Sequence, residues 1–241
     1  MLVNMTPKIQ QIGQDYILYD EDKLGNAADL SFDKDILAGR GSILGAAEGR
    51  GTTLFIQHNG MDLALRHYHR GGMIAKLSSD QYTWTGLSRT RAWREWHLLA
   101  ELVQQGLPVP EPVAAKVSRN GLFYRADIIT LRIPQAQSVA QIIKNQSLTE
   151  SSWQAIGKCI RQFHDQGVYH ADLNANNILV DNEQKVFILD FDRGELRRPG
   201  GKWQQANIER LLRSFNKIKA HSETFYFSDS DWQALLGGYQ P

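Results

Sequence analysis

The pattern of apolar and polar positions in the first half of the chain predicts a series of short strands. Runs rich in β-branched and aromatic residues, each bounded by turn residues, predict strands at 52–57, 62–68, 113–117 and 122–130. His58-Asn59-Gly60 is the predicted turn between the first two strands. Residues 1–38 have no clear period. The stretch 39–51 carries five glycines and is predicted to be a flexible loop region.

Helical spacing dominates the second half. One helix is predicted before it, from Thr90 to Gln105, where tryptophans begin an apolar stripe and Gly106 follows the end. Further helices are predicted at 139–144, at about 153–166 with Gly167 at its end, and at 203–219. A buried strand is predicted at 186–189. Little chain follows the last helix, so the helical part is expected to be reduced.

These elements predict an α+β fold with two lobes that form one catalytic unit. The first lobe, residues 1–133, is β-rich and nucleotide-binding, and the second, residues 134–241, is helical and catalytic. Pro134 marks the predicted hinge between them.

Composition narrows the class of protein without identifying a partner. The 241 residues are 42% hydrophobic and 22% charged, which is typical of a globular protein. A net charge of +1 gives no indication of nucleic-acid binding. The single cysteine, Cys159, fits a reducing cytosol. No signal peptide and no run of 18 apolar residues is present, so any contact with a membrane is expected at its surface.

The most informative stretch runs from His170 to Asp192 and predicts phosphoryl transfer. It matches the kinase pattern of a His-x-Asp loop, an asparagine five residues after the aspartate, and a later Asp-Phe motif. Asp172 is the predicted catalytic base, while Asn177 and Asp190 are the predicted ligands of Mg²⁺. His170 is interpreted as a scaffold residue. Asp192, where glycine is usual, is either an additional metal-facing carboxylate or a turn cap.

Two features of the first half are candidates for nucleotide binding. Gly49 and Gly51 are the expected closing turn of a phosphate-binding loop, although a plain connector is the alternative. Arg66 stands where kinases carry a lysine, and Glu95 on the following helix is its expected partner. Both are assigned to cofactor binding, with solvated surface charges as the alternative.

Two histidines follow Arg66 on the same strand. His67 and His69 could suggest a metal site, but no third ligand follows them at a recognisable spacing, so this interpretation is set aside.

Basic residues are frequent just after the Asp190-Phe191 motif, which carries a predicted metal ligand. The group consists of Arg193, Arg197, Arg198 and Lys202. Such charges usually lie on a solvated surface, but a kinase receives its acceptor at this point of the chain, so an anionic acceptor is expected.

The chain resembles the 3-deoxy-D-manno-octulosonic acid (Kdo) kinases. The resemblance rests on RHYHRGGMIAKL, TRAWREWHLLAEL, GLPVPEPVAA, YHADLNANNILV and FILDFDRGELR, and covers about residues 49–219. This group of lipopolysaccharide core kinases from Gram-negative bacteria is a branch of the protein-kinase-like fold. The resemblance implies ATP-dependent phosphorylation of the Kdo 4-hydroxyl on a lipid A precursor, Kdo-lipid IVA. It also implies a peripheral enzyme at the cytoplasmic face of the inner membrane.

The predicted mechanism is direct transfer from ATP, bound between the lobes with its adenine near residues 129–134. Asp172 accepts the proton of the attacking sugar hydroxyl, and the basic residues meet the anionic lipid substrate and the membrane surface. One alternative is a small-molecule kinase of the aminoglycoside phosphotransferase type, whose cationic substrates call for an acidic acceptor pocket. The other is a nucleotide-binding pseudokinase, against which the presence of Asp172 and Asp190 argues.

Overall fold

A computed structural model describes residues 5–47, 53–70 and 80–240 of the chain. The chain separates into two compact units. Residues 1–104 and 110–132 form the first unit, and residues 105–109 and 133–241 form the second. The short segment 105–109, which joins a helix to a strand of the first unit, therefore makes its contacts in the second unit.

The first unit is built on one antiparallel sheet. Its strands are β1 (Pro7–Ile12), β2 (Asp15–Asp20), β3 (Ile43–Ala47), β4 (Thr53–His58), β5 (Met61–His67), β6 (Tyr82–Thr83), β7 (Pro112–Asn120) and β8 (Phe123–Leu131). The order across the sheet is β1-β2-β7-β8-β5-β4-β3, with β6 paired to β8. Its helices are α1 (Glu21–Leu24), α2 (Lys34–Gly39) and α3 (Arg91–Gln104), with 3₁₀ turns at Ala27–Asp29 and Leu87–Arg89.

The predicted hairpin and the predicted long helix of this unit are confirmed. Asn59 and Gly60 both have positive φ, +48° and +77°, the conformation that a two-residue hairpin turn requires. This turn sets the pairing of β4 with β5, so that His58 lies opposite Met61. Helix α3 packs its buried stripe, including Trp93 and Trp96, against β7 and β8.

The prediction of a loop across residues 39–51 is wrong for Ile43–Ala47, which form β3. Gly45 lies in this edge strand, and a Cβ there would have no neighbour within 4 Å. The glycine at this position therefore belongs to an open sheet edge and does not indicate a loop. Strands β1 and β2 were also not predicted. Every residue of β1 is at least partly exposed, and this exposure removes the alternation on which strand prediction depends.

The second unit carries four helices and two small sheets among its described residues. The helices are α4 (Val139–Asn145), α5 (Glu150–Asp165), α6 (Lys202–Lys219) and α7 (Asp229–Tyr239). The strands are β9 (Gln137–Ser138), β10 (Val168–Tyr169), β11 (Ile178–Val180), β12 (Val186–Ile188) and β13 (Glu195–Leu196). One sheet has the order β12-β11-β9, and the other pairs β10 with β13. The predicted helices at 139–144, 153–166 and 203–219 and the α+β class are confirmed.

Helix α7 was not predicted, and it packs along α5. Two glycines allow the close approach of the helices. A Cβ on Gly157 would lie 2.0 Å from the carbonyl oxygen of Leu235, and a Cβ on Gly238 would lie 2.1 Å from that of Gln154. Glycine lowers intrinsic helix propensity, so Gly238, which permits this packing, also concealed α7 in the sequence.

Candidate active site

The loop between β10 and β11 is held by a buried histidine. His170 is 3% exposed, and its Nε2–H donates to the carbonyl oxygen of Leu189 at 2.8 Å. Its Nδ1 accepts the backbone N–H of Asp172 at 3.1 Å. Burial lowers the pKa of His170, although the hydrogen bond to Leu189 acts against this, and the bonding pattern is that of a neutral imidazole. The predicted scaffold role of His170 is confirmed by these contacts.

The backbone of Asp172 is fixed on both sides. Its N–H is bound to His170, and its carbonyl oxygen accepts from Nδ2 of Asn174 at 2.9 Å and from Nδ2 of Asn177 at 3.0 Å. The side-chain carboxylate is therefore carried on a main chain whose hydrogen bonds do not depend on the side chain.

Asn177 and Asp190 stand at the same end of the β11–β12 hairpin. The N–H of Leu189 donates to the carbonyl oxygen of Asn177 at 2.8 Å, which extends the pairing of β11 with β12 by one step. Asp190 follows with φ +61°, a left-handed conformation that is uncommon for a residue other than glycine. Phe191 is buried against the rings of Phe163 and His170 and anchors the turn.

The two predicted acids lie on either side of the same buried histidine in its hydrogen-bond pattern, since His170 binds the N–H of Asp172 and the carbonyl oxygen of Leu189, the residue before Asp190. The charges of Asp190 and Asp172 both act to raise the pKa of His170, so both carboxylates lie near the same buried ring. The structure thus collects Asp172, Asn177 and Asp190 around one histidine. Their catalytic and metal-binding roles remain predictions.

The donor chemistry of this group fits a divalent cation such as Mg²⁺. Asn177 uses Nδ2 as the donor to Asp172, so Oδ1 stands on the other arm of the amide. An amide oxygen and the carboxylate of Asp190 are hard oxygen ligands, of the kind that Mg²⁺ takes together with water and nucleotide phosphates. Among the described residues, no group of three or more His, Cys, Asp or Glu side chains forms a complete protein cage for a metal.

Helix α6 binds the backbone of the loop through residues that the sequence analysis missed. Asn207 is 1% exposed, accepts the N–H of His170 at 3.3 Å, and donates Nδ2 to the carbonyl oxygen of His170 at 3.0 Å. The Oγ of Ser214 accepts the N–H of Ala175 at 3.0 Å. The sequence signal that could have identified them is their spacing: Asn207 and Ser214 are seven residues apart, at the edge of an apolar helical stripe.

In the first unit, the predicted pairing of Arg66 with Glu95 is confirmed. Nη2 of Arg66 donates to both oxygens of Glu95, at 2.6 and 2.7 Å, and Glu95 is 3% exposed. Tyr68 donates its hydroxyl to the same carboxylate, and the guanidinium of Arg66 lies 4.7 Å from the centre of its ring. Tyr68 was not predicted, although it lies two residues after Arg66, the spacing of side chains on one face of a strand. The role of the pair toward a nucleotide remains a prediction.

The other candidates of the first unit have different outcomes. Gly49 and Gly51 lie outside the described residues. His67 binds Asp127 through Nδ1 at 2.7 Å, and this hydrogen bond raises its pKa against the effect of burial. His69 contacts the ring of His67, and within the described part of the chain the two belong to no cluster of metal ligands.

In the basic segment after Asp190 and Phe191, Arg197 makes contacts within the protein. Arg197 pairs with Glu195 at 2.5 Å, and its guanidinium lies 3.5 Å from the centre of the Tyr169 ring. Arg193, Arg198 and Lys202 are exposed. The segment is therefore partly folded onto β10 and partly directed to solvent.

Comparisons with known proteins agree on one family. The model of the lipopolysaccharide kinase (Kdo/WaaP) family matches residues 34–239. A 3-deoxy-D-manno-octulosonic acid kinase from Vibrio vulnificus is 42% identical over 231 residues, which cover 96% of this chain and 97% of the relative. Proteins of the same name from Mannheimia succiniciproducens and Haemophilus influenzae are 45% and 38% identical, over 82% and 96% of this chain and 85% and 99% of their own.

Proposed function

The chain belongs to the lipopolysaccharide kinase (Kdo/WaaP) family, and we propose that it transfers the γ-phosphoryl group of ATP to the 4-hydroxyl of Kdo on Kdo-lipid IVA. Family membership makes it an ATP-dependent kinase. The observation that carries the finer proposal is the similarity, over nearly the full chain, to several relatives that are named for this sugar acid.

The proposed work of the catalytic loop follows from its hydrogen bonds. Asp172 orients the attacking hydroxyl and accepts its proton, a function that suits a carboxylate on a rigid main chain. Asn177 and Asp190 would hold Mg²⁺, which, when bound, neutralises charge on the nucleotide phosphates. His170 keeps the loop in place as a neutral hydrogen-bonding residue and exchanges no proton with the substrate.

In the first unit, Arg66 is proposed to contact nucleotide phosphate while Glu95 and Tyr68 fix its direction. A guanidinium presents several fixed donors, so Arg66 can bind Glu95 with Nη2 and a phosphate with other N–H groups.

The direct test is an acceptor panel with labelled ATP. We expect label in Kdo-lipid IVA, and none in lipid IVA without Kdo, in protein substrates or in aminoglycosides. Transfer should stop when Mg²⁺ is chelated. The Asp172→Ala variant serves as the reaction control, and Arg213→Gln, an exposed change on α6, serves as the matched surface control. Label in an aminoglycoside with none in Kdo-lipid IVA would contradict the proposal and favour the small-molecule alternative.

We further propose that the enzyme acts at the cytoplasmic face of the inner membrane as a peripheral protein. A lipid-linked acceptor requires such an approach, and Arg193, Arg198 and Lys202 are exposed in the same segment as the exposed Leu196. Near an anionic bilayer each basic residue contributes about 1 kcal/mol. In residues 5–47, 53–70 and 80–240, no helix is both long enough and apolar enough to cross a bilayer.

The membrane proposal is tested with vesicles that contain phosphatidylglycerol. Binding should fall steeply with salt, and Arg198→Glu with Lys202→Glu should abolish it while ATP affinity survives. Arg197 is left unchanged because it pairs with Glu195. The control changes Arg213 and Lys217, both on α6, to Glu. It alters the net charge as much as the test variant does, but at positions outside the basic segment. Binding that is insensitive to salt, or equal loss in test and control variants, would contradict the role of this segment.

A further inference from the structure

Arg210 lies on the face of α6 that holds the catalytic loop. It stands between Asn207 and Ser214, whose side chains bind the backbone of His170 and Ala175. Intervals of three and four residues put all three positions on one side of a helix. Arg210 is thus carried by the same helix face that fixes the loop bearing Asp172.

Arg210 is partly buried, and its Nε–H has no hydrogen-bond partner among the described residues. The Nε atom itself is closed to solvent. Arg213, three residues later, is exposed and is 4.0 Å from Glu209. A donor that is closed to solvent without an acceptor costs free energy, so the Nε–H of this partly buried arginine calls for an acceptor that joins it in the working complex.

The charge of Arg210 reaches the centre of the site. Burial lowers the pKa of His170, and Arg210 acts in the same direction, whereas the charges of Asp190 and Asp172 act to raise it. The carboxylates of Asp172 and Asp190 and the guanidinium of Arg210 therefore all lie near enough to this buried ring for their charges to act on it.

We propose that Arg210 is a binding residue for an oxyanion of the reacting complex, held beside the catalytic loop. The anion is a phosphate of the nucleotide or an anionic group of the acceptor, since a guanidinium binds both kinds of oxygen pair through two parallel hydrogen bonds. The inference rests on the proposed function for the identity of the acceptor. That an arginine is suited to an oxyanion follows from its own chemistry.

The kinetic test compares Arg210→Gln and Arg210→Lys with Arg213→Gln as the matched control. Removal of a charge-assisted hydrogen bond should lower kcat/KM for one substrate roughly ten- to hundredfold in Arg210→Gln. Arg210→Lys keeps the charge without the fork and should lie between the parent and Arg210→Gln. A raised KM for ATP identifies a nucleotide phosphate as the anion, whereas a raised KM for Kdo-lipid IVA identifies the acceptor.

Chemical rescue separates binding from a purely structural role. Arg210→Ala should recover activity when millimolar guanidinium is added, while the parent and Arg213→Gln should not respond. Loss of activity that guanidinium does not restore, with a melting temperature several degrees below the parent, would overturn the proposal and assign Arg210 to structure.

A turnover-free measurement keeps this test distinct from that of the proposed function. Inorganic pyrophosphate should raise the melting temperature of the parent and of Arg213→Gln, and should raise that of Arg210→Gln much less. If the parent phosphorylates no Kdo acceptor but this difference remains, the acceptor assignment fails and the anion site stands. Equal kinetics and equal stabilisation in Arg210→Gln and Arg213→Gln would overturn the anion site itself. Should Arg210→Gln fail to fold, Arg210→Lys gives the same comparison.

Discussion

The two units fix their candidate functional side chains by different means. In the first unit, Arg66 and Glu95 hold each other by charge, with Tyr68 as a third partner. In the second unit, the main chain of Asp172 is held by neutral groups, namely His170, Asn174 and Asn177. A change of Glu95 should therefore affect both fold and function, because the carboxylate is itself a structural contact. A change of the Asp172 carboxylate should affect chemistry more than fold, because the backbone of this residue makes structural contacts that a substitution leaves in place.

The largest expected effect tests the second half of this comparison. Asp172→Ala should lower turnover about 10²- to 10⁴-fold, the usual contribution of a positioned base. Its melting temperature and its affinity for Mg·ATP should stay near those of the parent, since the backbone hydrogen bonds of residue 172 survive the substitution. Steady-state kinetics and calorimetry measure the two quantities. Near-normal turnover would remove Asp172 from the mechanism, and a large loss of stability would break the comparison.

The next effect tests the ion pair of the first unit. Glu95→Gln leaves Arg66, whose side chain is 24% exposed, without its counter-charge. We expect a loss of about 2 to 3 kcal/mol in the free energy of unfolding, below the roughly 3 to 5 kcal/mol of a fully buried pair. Chemical denaturation measures it, and turnover should fall as well because Arg66 loses its fixed direction.

The control for Glu95→Gln is an exposed pair in the second unit. Asp165→Asn breaks the contact of Asp165 with Arg161, where the aspartate is 55% exposed, and should cost about 0.3 to 0.5 kcal/mol. Equal losses in the two variants would mean that burial of Glu95 adds nothing.

A third prediction sharpens the comparison within the second unit, away from the catalytic loop. Gly157→Ala brings a methyl group to 2.0 Å from the carbonyl oxygen of Leu235 and should cost about 1 to 3 kcal/mol of stability. Gly237→Ala, on α7 with no neighbour within 4 Å, should instead stabilise by up to about 1 kcal/mol. Thermal unfolding distinguishes the signs. Activity per folded molecule should be unchanged in both, and a stabilising effect of Gly157→Ala would show that the packing of α5 on α7 does not require glycine at this position.

The smallest effect concerns pH, to which the units should respond in opposite directions. Burial lowers the pKa of His164 to about 4, and a hydrogen bond with Asn207 opposes the shift. A lowered pKa contributes stability that is present above 6.5, the ordinary value, and is lost as the pH falls toward 4. One such group should cost at most about 1.4 kcal/mol between pH 6.5 and 5.5.

His67 in the first unit has the opposite sign. The hydrogen bond to Asp127 raises its pKa, so its contribution is present below 6.5 and is lost as the pH rises through the raised value. Denaturation curves of His164→Gln and His67→Asn, recorded from about pH 4 to well above pH 6.5, test both signs. A flatter acid limb is expected for the first variant, and a smaller loss of stability at higher pH for the second. Unchanged curves would contradict the assignments.

Local pattern predicted most of the fold that surrounds the site. The β4–β5 hairpin, α3 and α5 carry turn residues and apolar stripes whose period matches their structure. β1 was missed because every residue of this edge strand is at least partly exposed, and β3 was missed because it lies in a glycine-rich stretch. α7 was missed because Gly238, which serves the packing on α5, lowers helix propensity, and propensity alone cannot anticipate a neighbour.

The sequence by itself determined the chemical inventory of the candidate site. The acid, the amide and the second acid stand at fixed spacings in one short stretch, and these spacings indicated phosphoryl transfer without a structure. The pairing of Arg66 with Glu95 was also accessible, because each was the only suitable partner at its position in the kinase pattern.

Only the tertiary structure decided which residues hold that inventory in place. Asn207 and Ser214 bind a loop that lies nearly 40 residues earlier in the chain, and Tyr68 shares a carboxylate 27 residues away. Arg210 lies on the same face of α6 as Asn207 and Ser214, and helix geometry rather than a local motif places it there. The physical reason is that a hydrogen bond depends on distance in space, and distances between remote segments are set when the helices and strands pack.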